Sequence, residues 1–199
     1  MYRVESVAER QTLADLIRGK SLGRDLALII GFSLFVALTA QIAIPLPWTP
    51  VPITGQTLGV LLTGAILGPR RGALAILLYL VEGLAGMPVF AGMTSGLAKL
   101  LGPTGGYLLS WPLAAALVGW LAQRGWDRRI PTALAMFCFG NILIYAIGAS
   151  WLNIYKDTFG QISVMWAGVY PFLPGDALKI VIAALVLPGA WALFGRNER

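Results

Sequence analysis

The sequence predicts an all-α, polytopic membrane protein with six transmembrane helices and both termini cytoplasmic. Three observations carry this. The 199 residues are 57% hydrophobic and only 12% charged, where a soluble domain carries about 25% charge. Several apolar runs approach the roughly 20 residues needed to cross a bilayer as a helix. The basic residues fall in small groups between those runs, the pattern of a topology signal. A net charge of +6 points to nucleic acid only if the basic residues gather on one face. They do not, so no nucleic-acid partner is expected; the partner implied is the lipid bilayer.

Residues 1–24 are polar and mixed in charge, with Arg3, Arg10, Arg18, Lys20 and Arg24 set against Glu5, Glu9 and Asp15. Val7, Leu13, Leu16 and Ile17 are loosely amphipathic, as in a short surface helix. The segment is too long and too acidic to begin a secretory signal, and reads as a cytoplasmic lead-in. The first span runs from about Leu26 to Ile44. It stops at Pro45-Leu46-Pro47-Trp48-Thr49-Pro50-Val51-Pro52, which cannot be helical because each proline fixes φ and removes a donor. This stiff loop is either a connector anchored by Trp48 at the interface or a lid that covers a pocket at little ordering cost.

A short second segment, Gln56 to Leu67, leads to a tight basic turn, Gly68-Pro69-Arg70-Arg71-Gly72. The third span covers Ala73 to about Ala85 and contains Tyr79 and Glu82. Residues 86–106 are rich in glycine, and irregular backbone at membrane depth must be buried in protein or line a cavity. The fourth span is Tyr107 to Leu121, the fifth Ile130 to Leu152. A polar, aromatic loop of residues 153–175 precedes the sixth, Asp176 to Phe194, and residues 196–199 form a cytoplasmic tail. With the N-terminus inside, Arg70, Arg71, Arg124, Arg128, Arg129, Arg196 and Arg199 lie inside, against Lys99, Lys156 and Lys179 outside, in accord with the positive-inside rule. No internal repeat is evident.

Histidine is absent and Cys138 is the only cysteine. Within one chain this excludes disulfides, Cys/His zinc sites and catalysis by an imidazole, and Cys138 reads as a small packed hydrophobe. No phosphate-binding loop occurs, so the chain does not itself hydrolyse ATP by that route. No catalytic residue, metal or resident cofactor is expected.

Four ionisable residues remain that topology does not explain: Glu82, Lys99, Asp176 and Lys179. They sit in or beside the three non-cytoplasmic connections, which together suggest a pocket open to the outer face. Asp176 and Lys179 are three apart, so they share a helix face, and intramembrane ionisable groups mark functional sites. The bland alternatives are a helix cap for Asp176 and a snorkelling Lys179, but a lysine in a first turn opposes the helix dipole. Gln56 at a helix start serves capping or binding alike. Tyr79, Phe90, Tyr107, Trp166 and Phe172 supply apolar and aromatic walls. A small polar ligand bound without chemistry fits these residues better than an enzyme does.

Four ordered blocks resemble the BioY family, the biotin-binding S components of energy-coupling factor (ECF) transporters. They are Trp48-Thr49-Pro50-Val51-Pro52-Ile53-Thr54-Gly55-Gln56-Thr57-Leu58, Gly86-Met87-Pro88-Val89-Phe90-Ala91-Gly92, Gly102-Pro103-Thr104-Gly105-Gly106-Tyr107-Leu108 and Pro171-Phe172-Leu173-Pro174-Gly175-Asp176-Ala177-Leu178-Lys179. The resemblance covers about residues 22–195. It implies a six-helix substrate-binding domain over residues 25–195 in the cell membrane, with biotin as transported ligand rather than cofactor. It makes the loop after the first helix a lid and Asp176 and Lys179 polar ligand-binding positions, with Lys99 a basic group near the glycine segment. It assigns Glu82 no role and leaves open whether Lys99 or Lys179 meets the biotin carboxylate. The usual partner is an energising module of a transmembrane coupling protein and two ATPases; the alternative is a self-sufficient secondary transporter. Ala27-x-x-x-Gly31 loosely fits the close helix approach that docking needs, though Phe35 interrupts the series.

Overall fold

A computed structural model describes residues 11–16 and 21–194. The expected N-terminal amphipathic helix and the C-terminal tail lie largely outside the described residues. Eight α-helices occur among them: α1 (Leu22–Ala40), α2 (Gln56–Leu67), α3 (Pro69–Leu84), α4 (Leu97–Leu101), α5 (Gly105–Ala122), α6 (Ile130–Leu152), α7 (Val164–Gly168) and α8 (Leu173–Phe194). Two short strands, β1 (Ala43–Ile44) and β2 (Ile53–Thr54), pair antiparallel with Ala43 opposite Thr54 and Ile44 opposite Ile53.

Four segments are long and apolar enough to cross a membrane: Leu22–Ala40, Gly105–Ala122, Leu173–Phe194, and α6 with the 3-10 turn that extends it to Thr158. Helix α2, with 12 residues, and α3, with 16, reach only roughly 18 and 24 Å at 1.5 Å per residue, short of a ~30 Å hydrocarbon core. Both pack within the bundle. Helix α5 is the enclosed centre: 12 of its 18 residues are buried, against 4 of 19 in α1 and 4 of 22 in α8. Its partners are α6, α2 and α3. Glycines permit the close crossing of α2, α3 and α5: a Cβ on Gly64 would sit 2.3 Å from the Ala115 carbonyl oxygen, and one on Gly119 2.4 Å from the Gly68 backbone.

Several boundaries differ from the sequence reading. Helix α1 ends at Ala40 rather than Ile44, because residues 43–44 join β2 and close the proline loop into a hairpin. The basic turn at 68–72 reduces to Gly68 alone, at φ 83°. Pro69 takes the first position of α3, where its missing N–H costs nothing, so Arg70 and Arg71 are helical. Arg71 then ties three segments together, through Asp15 (2.6 Å), Asp25 (3.2 Å) and the Leu67 carbonyl (3.0 Å). Burial pushes the Asp15 carboxyl up, but the Thr12 amide and Arg71 outweigh it and hold it below its ordinary value. Residues 153–175 are no open loop; they form a 3-10 turn at Asn153–Thr158 and helix α7, capped by Ser163.

Candidate functional site

Helix α8 begins at Leu173, three residues before Asp176, with Pro174 in its first turn. Asp176 is therefore not the cap; its own amide donates to the Phe172 carbonyl (2.9 Å), and its carboxylate is free to act elsewhere. Oδ1 accepts from Lys179 Nζ (2.8 Å) and from Thr57 Oγ1 (3.2 Å), and Oδ2 accepts from the Tyr145 hydroxyl. Lys179 Nζ also donates to the Thr54 carbonyl (2.6 Å) and Thr57 Oγ1 (3.0 Å). An ammonium has three donors, so all three are spent within the protein. Lys179 does not snorkel; it knits α8 to the base of the proline hairpin.

This cluster forms one wall of a cavity that encloses about 690 Å³ when the open space at its mouth is included. Asp176, Lys179, Lys99, Gln56, Phe90, Tyr107 and Phe172 line it, as do Val51 and Pro52 of the proline loop. The Lys99 ammonium, in contrast to that of Lys179, has no hydrogen-bond or ion-pair partner among the described residues. Thr49 ties the loop to α7: its hydroxyl donates to the Ala167 carbonyl (2.5 Å) and accepts from the Val51 amide (3.2 Å). Trp48, 46% exposed, and Pro50, also exposed, do not line the cavity.

The glycine-rich segment forms the adjoining wall. Gly86, Gly92 and Gly96 take positive φ, conformations only glycine adopts without strain. Its backbone is pinned by an amide–carbonyl bond from Phe90 to Thr94 (3.0 Å) and by Gln41, whose side chain reaches the Phe90 carbonyl (3.4 Å) and the Met93 amide (3.1 Å). Opposite, the Tyr107 hydroxyl donates to the Gly168 carbonyl (2.8 Å), and its ring lies where a Cβ on Gly148 would fall 2.3 Å from it.

Three candidate residues lie off the cavity. Tyr79 sits one layer behind: its hydroxyl accepts from Gln56 Nε2 (2.6 Å) and donates to the Val89 carbonyl (3.1 Å), and its ring packs on Phe90 and Trp111. Glu82 faces α1, where Oε1 pairs with Ser33 Oγ (3.0 Å). Trp166 is 60% exposed and stacks edge-on with Tyr170, since the short helix α7 turns its buried face, Ala167 and Gly168, inward.

Sequence reasoning missed Thr57, Tyr145 and Trp111. Thr57 and Tyr145 complete the Asp176 cluster, and Tyr145 lies one turn from Asn141 on an otherwise apolar stretch of α6, a spacing that marks one polar face. Trp111 lines the cavity, and its buried indole N–H has no partner among the described residues. The arrangement offers a carboxylate, a free ammonium and a free N–H donor against aromatic walls. It can hold a small ligand with polar groups at both ends, and nothing in it specifies a reaction.

Comparison with known proteins agrees with this architecture. The biotin transporter BioY of Rhizobium etli is 37% identical over 171 residues, 82% of this chain and 90% of that protein. That of Thermotoga maritima is 40% identical over 156 residues, 78% and 88% of the two chains. The crystal structure of an S-component for biotin from an ECF-type ABC transporter superposes with a TM-score of 0.73 at 25% identity, over 86% of this chain and 94% of that one. The BioY family model matches residues 10–196, nearly the whole sequence, and the chain belongs to the BioY family.

Proposed function

We propose that the chain takes up biotin across the cytoplasmic membrane, as the S component that captures it at the outer face and releases it inward. Six crossings with both termini cytoplasmic, and a substrate-binding domain over residues 25–195, belong to this reading. The observation that carries it is the division of charge in the cavity. Asp176 keeps a free lone pair on Oδ2 beside a fully committed Lys179, while Lys99 is uncommitted. Biotin has matching groups: two ureido N–H donors and a carbonyl at one end, a carboxylate at the other, and an apolar thioether ring between.

Asp176 Oδ2 accepts a ureido N–H, a charge-assisted bond stronger than a neutral one. The Trp111 N–H donates to the ureido carbonyl. The carboxylate goes to Lys99, because Lys179 has no donor left to give without breaking a protein bond. Phe90 and Phe172 pack against the ring system, and Val51 and Pro52 cover it. Opening the lid breaks the Thr49–Ala167 bond. Energy for release comes from a coupling protein with two ATPases, a need supported by the absence of a phosphate-binding loop in this chain.

Labelled biotin uptake in cells lacking their own transporter tests this reading, with the chain expressed alone and beside such a module. Uptake that requires the module supports the S-component assignment; equal uptake by the chain alone replaces it with a self-sufficient transporter.

A further inference from the structure

A second, much smaller pocket, with room for about one water-sized group, adjoins the main cavity between α2, α6 and α8. Its lining sits about one turn farther from the connecting loops on all three helices: Leu58 and Leu61 beyond Gln56, Asn141 and Phe137 beyond Tyr145, Ile180 and Ala183 beyond Asp176. Thr57 and Lys179 line both spaces, so the lysine forms part of the partition between them.

The chamber's remaining polar residue is Asn141, midway along α6. It is only 6% exposed, and its Oδ1 is buried without a hydrogen-bond partner. A buried amide oxygen left unpaired is unfavourable, and more so in an apolar bundle than in water. Leucine or alanine would fill the position without that cost. An acceptor held empty in a pocket that Lys179 also lines, while the donors of that lysine are all engaged elsewhere, has the properties of an alternative seat for its ammonium. One of the three bonds Lys179 would surrender runs to the Thr54 carbonyl at the hairpin base, so hairpin movement and lysine movement are linked through a single contact.

We propose that Asn141 Oδ1 is a second station for the Lys179 ammonium, occupied when the Thr54 bond is broken, so that the lysine swings into the smaller pocket during ligand release. Moving there takes the positive charge away from Asp176 and loosens the cluster that holds the ligand's N–H end. Asn141 is thus a positioning residue, acting through Lys179 without touching the ligand. The inference rests on the proposed biotin site.

The test compares Asn141→Leu and Asn141→Asp with the unaltered chain, reading biotin affinity of purified protein, initial uptake rate in cells, and thermal stability without ligand. Asn141→Leu removes the station: affinity stays within threefold, ligand-free stability is unchanged or raised, and uptake falls at least tenfold. Asn141→Asp makes the station anionic and draws the lysine down: affinity falls at least tenfold. If Asn141→Leu loses affinity and uptake together, Asn141 acts in capture and the proposal is overturned. It is equally overturned if both variants bind and transport as the parent does. Should Asn141→Leu fail to fold, Asn141→Asp decides alone: unchanged affinity overturns the proposal. If the unaltered chain binds no biotin, the site assignment fails first, which separates the two failures.

Discussion

Replacing Asp176 by asparagine preserves shape and removes one charge, and the structure sets the size of the effect. Asp176 accepts on both oxygens, from Lys179 and Thr57 on Oδ1 and from Tyr145 on Oδ2. Asparagine has one acceptor oxygen and an NH2 group. The ammonium takes the oxygen, so the NH2 faces Tyr145 and the ligand. Tyr145 can reverse and accept, but a ligand N–H meets another donor. The loss is at least one hydrogen bond to a charged group, about 1.5–3 kcal/mol, or roughly 10- to 150-fold in affinity at 1.4 kcal/mol per tenfold. Lys179 also loses its counter-ion, and leaving one member of a buried pair costs up to about 3–5 kcal/mol of stability. Adding Lys179→Met to Asp176→Asn therefore recovers melting temperature but not affinity. Calorimetric titration of purified protein with biotin, beside thermal unfolding without ligand, measures both. A Kd for Asp176→Asn within threefold of the parent, in folded protein, refutes the role given to Asp176.

Other outcomes follow from the same geometry. Lys99→Ala weakens biotin binding about tenfold or more, the worth of one hydrogen bond to a charged group, yet barely alters binding of biotin methyl ester; competition titration with both ligands checks this. Trp111→Phe keeps the wall but removes the free N–H, lowering biotin affinity about three- to tenfold for one neutral hydrogen bond, read by the same titration. Gly148→Ala drives a methyl into the Tyr107 ring and costs about 1–3 kcal/mol through overpacking, seen as a lower melting temperature that saturating biotin only partly restores. Burial pushes the Asp127 carboxyl up to about 6, against the bond it accepts from the Trp191 indole. Its folded form holds the proton more tightly than the unfolded one, so stability falls as pH rises from about 4 to about 6 and then levels. Asp127→Asn removes that loss, raising stability at pH 7 but not at pH 4, in melting curves at the two pH values.

The helix order was legible because apolar runs are long and the breaks between them carry arginine, glycine or proline. Helix α6 has the expected bounds, Ile130–Leu152, since Arg129 and Pro131 fix one end and the chain turns polar at Asn153. Proline misled wherever it stands at a helix start. Gly68-Pro69 read as part of a turn, and the sixth span as starting only after Pro174-Gly175, but proline in a first turn is well tolerated, and both helices begin at or just before these prolines. In the site, Asp176 and Lys179 were conspicuous because charge is rare in an apolar segment. The same rule drew attention to Glu82, whose partner proves to be Ser33 on α1. A charge in sequence announces that a partner exists, but not which one. Thr57, Tyr145 and Trp111 were silent because hydroxyls and indoles are common in membrane helices and declare themselves only through what they touch. Helix α7 was hidden for another reason: five residues leave too short a pattern to show a period.

Whether this cavity binds biotin is measured most directly by equilibrium binding of labelled biotin to the purified, detergent-solubilised chain. The expected result is saturable binding of one biotin per chain, displaced by unlabelled biotin and lost or sharply weakened in Asp176→Asn. Absence of saturable binding by folded protein, or binding indifferent to Asp176, would contradict it.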